Sequence, residues 1–219
     1  NSLFDYLNRR NFLCYPNIEK ETRNDVEYEY YNEKKYFNQN DDEDFIRTIA
    51  DLHYKTTYYK DVSRLKYKDI YNTLIDNIDY LKDYYEKYIS EADIETYMSP
   101  SNYLFVRNYS IVNSSLFYIE KELNAWYNLV KDKTKERVSV VHNNLRKDNF
   151  LRSDKDLLTG WENYMVDTPV LDIYKLYKNE YKNIDFKSMF KVYNDTFKLT
   201  KEELKLFFIM ISMPKKLEK

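Results

Sequence analysis

Hydrophobic positions along the 219-residue chain recur mainly at helical spacing. From Asp41 onward, Phe45, Ile46, Ile49, Leu52, His53 and Thr56 return every three or four residues, the stripe of a helix that buries one face. Its Asp-Asp-Glu-Asp opening places negative charge at the positive end of the helix macrodipole. Leu74, Ile78, Leu81, Tyr85 and Tyr88 alternate steps of four and three, which predicts a second helix over residues 65–89. Ser99-Pro100 offers an N-cap and a first-turn proline, and Leu116, Ile119, Leu123, Trp126 and Val130 carry the same rhythm through a third. Each stripe covers only about two heptads, so core-facing bundle helices are expected rather than a coiled coil. Further helices are expected over residues 171–181 and 186–197. A last one opens with the capping box Thr200-x-x-Glu203 and is stopped by Pro214.

Upstream, residues 4–11 read as the end of a helix with Phe4, Leu7 and Phe12 as its apolar face, and residues 14–24 as an irregular, turn-containing segment around Pro16 and Asn17. Residues 26–31, Val-Glu-Tyr-Glu-Tyr-Tyr, alternate charged and aromatic, the period-2 pattern of a strand with one wet face. The fold class that follows is α+β, mainly α-helical.

Composition changes this picture little. Lys plus Arg total 35 against 37 Asp plus Glu, and a net charge of -2 gives no electrostatic reason to bind nucleic acid or an anionic membrane. No apolar run approaches the ~20 residues that cross a bilayer, and no signal peptide is recognisable at the start. The chain begins without Met, as a trimmed product would. A single cysteine, Cys14, permits no internal disulfide and fits a reducing, cytoplasmic location. The 25 tyrosines reflect an A- and T-rich coding bias rather than a tyrosine-specific role. One glycine is more telling: a phosphate-cradling loop needs several, and Gly160 stands alone far downstream.

The chemistry-bearing stretch begins at Val138-Ser-Val-Val-His-Asn-Asn-Leu-Arg-Lys-Asp-Asn-Phe-Leu151, continues through Leu157-Leu-Thr-Gly-Trp-Glu162 and ends at Asp167-Thr-Pro-Val-Leu-Asp172. A β-branched run leads into a polar loop, then a hairpin, then an apolar helix with an acidic first turn. This order resembles the catalytic segment of the aminoglycoside phosphotransferase and choline kinase group, most closely its spore-coat CotS branch. That group reads His-x-Asp-x-x-x-x-Asn, then a metal-binding Asp, then Asp-x-x-Pro-x-x-Asp, of which this chain keeps Pro-x-x-Asp at Pro169–Asp172 with Asp167 one residue closer. The Leu52-His53 element and the closing Tyr193-Asn through Ser212-Met-Pro214 agree with it.

The resemblance implies a kinase-like large lobe over residues 41–219, with the catalytic-loop hairpin at 138–162, and a truncated remnant of the small lobe and hinge over 1–40. It assigns His142 and Asp172 to the scaffold of the loop, Asp172 bracing it from the following helix, and it places Asn149 on the metal-binding Asn. Two carboxylates are missing. Asn144 stands where the catalytic Asp belongs, and an amide takes up no proton near neutral pH; positioned general bases contribute about 10²- to 10⁴-fold. Gly160 stands where the metal-binding Asp belongs. Glu162, two residues on, shares a face with Gly160 on a strand but lies ~6 to 7 Å further along. It is the substitute metal ligand to consider, with Asp148 as the other. His53 alone reads as a packed helix residue, and Asp76, Asp79 and Asp83 as a solvated face.

Taken together the residues suggest a catalytically impaired, pseudokinase-like phosphotransferase with a binding or structural role. No cofactor is expected, and the partner is an unidentified protein or small molecule. The family branch makes a spore-associated location the alternative to a purely cytoplasmic one. An active ATP- and magnesium-dependent small-molecule kinase, phosphorylating an alcohol group, is the rival. A helical adaptor using tyrosine-rich faces is a third reading, and it predicts no hairpin near Gly160.

Overall fold

Helices form where the apolar stripes run, and strands occupy the stretches between them. A computed structural model describes residues 2–21, 26–32, 39–94 and 97–216. In chain order, α1 (Ser2–Arg9) leads to β1 (Ile18–Glu21), β2 (Val26–Tyr28), α2 (Gln39–Thr56) and β3 (Tyr58–Asp61). The long helices α3 (Arg64–Asp93) and α4 (Pro100–Val130) follow. Then come β4 (Lys135–Val141), β5 (Phe150–Arg152), β6 (Asp156–Leu158), β7 (Met165–Asp167), α5 (Val170–Glu180), α6 (Phe186–Thr196) and α7 (Lys201–Ser212). The class is α+β and mainly helical, as the spacing predicts. The chain divides into two units, Asn1–Lys60 with Glu136–Thr200 and Asp61–Lys135 with Lys201–Lys219.

The first unit is built on α2. Phe45, Ile46, Ile49 and Leu52 are almost completely buried, and the helix packs on α6. Its acidic first turn is fastened to the β5–β6 hairpin: Arg152 reaches Asp44 at 2.8 Å, pairs with Asp41, and holds Asp156 across the hairpin at 3.2 Å. The hairpin pairs Phe150 with Leu158 and Leu151 with Leu157, and the Phe150 ring packs at a tilt against Phe45, centroids 5.1 Å apart. A separate sheet runs in the order β3-β4-β7, with β4 and β7 antiparallel and Val140 opposite Val166. The Thr56 hydroxyl accepts the Val140 N–H at 3.0 Å while donating to the Leu52 carbonyl at 2.7 Å, which ties the end of α2 to the C-terminal end of β4.

Three expectations need correction. Residues 14–24 are not irregular throughout, because Ile18–Glu21 pairs with Val26–Tyr28 as a hairpin whose register shifts between Ile18 and Lys20. Residues 22–25, inside that span, lie outside the described residues. The strand expected over residues 26–31 is shorter, Val26–Tyr28; within it Glu27 is exposed, and Tyr28 is partly exposed with its ring edge-on to Phe4. Finally, Glu162 is not on a strand: Trp161–Asn163 form a 3₁₀ turn.

In the second unit α3 and α4 lie antiparallel, shown by the Tyr67–Trp126 contact at one end and the Tyr85–Phe105 stack at the other. The stripe residues Ile78, Leu81, Tyr85, Leu116, Ile119, Leu123, Trp126 and Val130 are all buried. Helix α7 packs on α4, where Lys205 pairs with Glu122 and the Ser115 hydroxyl donates to the Ser212 carbonyl at 3.0 Å. Ser99 caps α4 by accepting the Asn102 N–H at 3.1 Å, with Pro100 in the first turn. Ser99→Ala is expected to cost about 1 kcal/mol of stability and Ser99→Asp almost nothing, as read from urea denaturation of the intact chain.

Candidate functional site

Strand β4 ends at Val141 and the chain turns at His142-Asn143. Asn143 has φ of 64°, a left-handed conformation that Asn tolerates better than most side chains because its short amide bonds locally. Its amide donates to the Asn163 carbonyl at 2.8 Å. The turn is held by Asp172, in the first turn of α5 and completely buried. The backbone N–H of His142 donates to one carboxylate oxygen at 2.7 Å, and that of Asn143 to the other at 2.6 Å. His53 Nε2 lies 3.0 Å from the first oxygen, and His53 Nδ1 lies 2.7 Å from the Tyr193 hydroxyl. One carboxylate thus joins β4, its loop, α2 and, through His53, α6.

The rest of the loop is bound by the same face of α5. Lys175 Nζ donates to the Asn143 carbonyl at 2.9 Å, Asn179 to the Leu145 carbonyl at 2.9 Å, and Glu180 accepts the Lys147 N–H at 2.9 Å. These polar positions, spaced three, four and one after Asp172, were not singled out in the sequence. Helical spacing of hydrogen-bonding residues beside a loop was the available signal.

His142 is fully buried, with its ring against Trp161 at 4.6 Å and Nε2 donating to the Thr159 carbonyl at 2.8 Å. Nδ1 has no hydrogen-bond partner among the described residues. Burial holds the imidazole below its ordinary value of 6.5, although the Asp172 charge pulls the other way.

Asn144, Asn149 and Gly160, far apart in the motif, come together here. The Asn149 amide donates to the Asn144 backbone carbonyl at 2.7 Å, and the Thr159 N–H donates to the Asn149 carbonyl at 2.9 Å. Gly160 sits at φ 79°, ψ 43°. A Cβ placed on it would lie 3.0 Å from the Asn149 amide nitrogen and 3.3 Å from that of Asn144. A side chain at this position is therefore opposed twice, by the left-handed backbone and by amides occupying its space. The cluster is two carboxamides and a glycine, with hydrogen-bonding capacity and no anion. Asp148 and Glu162 are both exposed, and among the described residues no group of three or more His, Cys, Asp or Glu side chains is placed to hold a metal ion.

Among solved structures the chain is similar to the crystal structure of an aminoglycoside phosphotransferase from Alicyclobacillus acidocaldarius subsp. acidocaldarius DSM 446. The TM-score is 0.67 at 10% identity, over 97% of this chain and 68% of that one. The likeness shows the fold. No family model matches the chain, and no curated protein sequence does. No helix among the described residues is long and apolar enough to cross a membrane.

Asp172→Ala is expected to cost about 3–5 kcal/mol, because it strands two buried N–H donors and an imidazole; urea unfolding of the variant measures it. His142 adds a pH dependence. Its folded value lies below the unfolded one, so the unfolded chain binds the extra proton. The stability is complete above pH 6.5 and is lost progressively as pH falls below it. Unfolding curves taken between pH 7.5 and about 5 should lose part of this slope in His142→Asn.

Proposed function

We propose that this chain is a catalytically impaired phosphotransferase-like protein, nearest to the spore-coat branch of the aminoglycoside phosphotransferase and choline kinase group, with a binding or structural role. In this reading residues 41–219 correspond to the large lobe and residues 1–40 to a remnant of the small one. His142 and Asp172 keep the loop in shape, and Asn149 is the remaining metal-position residue. One observation carries the reading: the Asn149 amide, turned onto the Asn144 carbonyl, fills the space beside Gly160 where a metal-binding carboxylate would project.

Phosphoryl transfer is mostly positioning and charge neutralisation, and it needs an acid-base group near the acceptor hydroxyl and anions to hold magnesium. Magnesium demands nearly octahedral oxygen ligands at about 2.1 Å, usually one or two carboxylates with phosphate oxygens. Carboxamides at Asn144 and Asn149 offer neither a proton acceptor nor charge. Glu162, exposed on a 3₁₀ turn, and Asp148, exposed in the loop, are weak substitutes because among the described residues no hydrogen bond or ion pair holds either carboxylate toward Asn149.

Intact protein incubated with ATP and magnesium should consume no nucleotide above background, with or without an added amino-alcohol acceptor, and Asn149→Ala should leave that result unchanged. Turnover that Asn149→Ala abolishes overturns the reading in favour of an active small-molecule kinase. Restoring the carboxylates as Asn144→Asp with Gly160→Asp should not create activity either. The second change forces a side chain into a left-handed backbone at a cost of about 1–2 kcal/mol and against the Asn149 amide.

A further inference from the structure

The β3-β4-β7 sheet leaves one face only partly covered. Helix α1, eight residues and so about 12 Å long, lines a concavity over that face with Leu3 and Tyr6, and Arg10, in the turn just after the helix with its N–H on the Tyr6 carbonyl at 3.1 Å, lines it too. The floor is Tyr58, Val140 and Val166, one from each strand. Val140 and Val166 are directly opposed, yet Val140 is buried and Val166 is 38% exposed. Tyr164, just before β7, lines it as well. The concavity measures about 440 Å³, within the range of about 300–1,000 Å³ typical of small-molecule sites.

Its chemistry is specific. Apolar and aromatic surface forms the floor and walls, and a guanidinium stands at the rim. Arg10 is exposed, lies over the Tyr6 ring at 5.4 Å, and makes no ion pair among the described residues. The Tyr6 hydroxyl is occupied, at 3.4 Å from the Thr56 carbonyl, whereas those of Tyr58 and Tyr164 make no hydrogen bond among the described residues. A flat ring fits the apolar part, an anionic group satisfies the planar fork of Arg10, and the two hydroxyls accept or donate at its edge. None of Asn144, Asn149 and Gly160 lines this concavity.

We propose that the concavity between α1 and the β3-β4-β7 sheet binds a small aromatic carboxylate. Its charge is held by Arg10 and its ring lies over Val140 and Val166. The site is independent of the loop at Asn144, so it stands whether or not the chain turns over ATP.

Titrating the intact chain with 2-naphthoate, followed by ligand-observed NMR and thermal shift, tests this. Saturable binding is expected. Arg10→Gln, an exposed change that leaves the core alone, should weaken it by about tenfold, the loss of one charge-assisted contact. The neutral 2-naphthalenemethanol should bind more weakly than the acid and be indifferent to Arg10→Gln. Val166→Trp, which fills the open floor from a half-exposed position, should abolish binding of both while leaving the circular dichroism spectrum intact. Absence of saturable binding overturns the proposal. So does 2-naphthoate binding that survives both variants.

Discussion

A carboxylate removed from water must be surrounded by donors, and Asp172 shows how far that requirement organises its unit. Burying an ionised group costs several kcal/mol even after the protein relaxes, and the cost is offset here by two backbone N–H groups and an imidazole. Those donors are not interchangeable. The two N–H groups converge only if the chain turns sharply at Asn143, and the imidazole arrives only if α2 lies alongside. The left-handed backbone at Asn143, the burial of His53 and the placement of Tyr193 are thus consequences of satisfying one anion. The helix that carries Asp172 extends the same logic through Lys175, Asn179 and Glu180, each bonding to the backbone of the loop.

This scaffold does not depend on the groups that transfer phosphate. Its bonds run to main-chain atoms, which every residue supplies, so the loop keeps its course with amides at positions 144 and 149. The side chain at position 149 pairs with what is nearest. Asn149 donates to the Asn144 carbonyl and packs against Gly160, and the left-handed conformation at Gly160 accommodates that approach. Asp172 holds the shape of the loop whichever side chains stand at positions 144 and 149.

The second unit is governed by a different force. Its helices α3 and α4 meet through a continuous band of apolar and aromatic side chains, and non-directional burial at roughly 25 cal/mol per Å² suffices to hold them. Tyrosines suit that band because each buries an aromatic body while its hydroxyl reaches a partner at the edge, as Tyr71 does with Asn124 and Tyr88 with Asn102. Several other aromatic and aliphatic side chains of the same helices, Leu65, Ile111 and Phe117 among them, remain exposed.

Periodicity alone determined where the helices lie, because a side chain every three or four residues is a local property of the chain; the stripes on α2 and α4 are buried throughout, and that on α3 is buried at Ile78, Leu81 and Tyr85 and half-buried at Leu74 and Tyr88. The polar loop, the hairpin after it and the acidic opening of α5 were equally legible, since their order is written in turn formers and apolar runs. The strand at Ile18–Glu21 was not, because Ile-Glu-Lys-Glu has no apolar alternation and becomes a strand only by pairing with Val26–Tyr28. Nor was the placement of Glu162, whose strand reading failed because Gly160 takes a left-handed turn that spacing does not reveal. Only the tertiary structure decided that Asn144, Asn149 and Gly160 share one small space, and that His53 and Tyr193, 140 positions apart, complete the surroundings of Asp172. Contacts of that kind arise from long-range closure around a buried charge, which leaves no periodic trace in the chain itself.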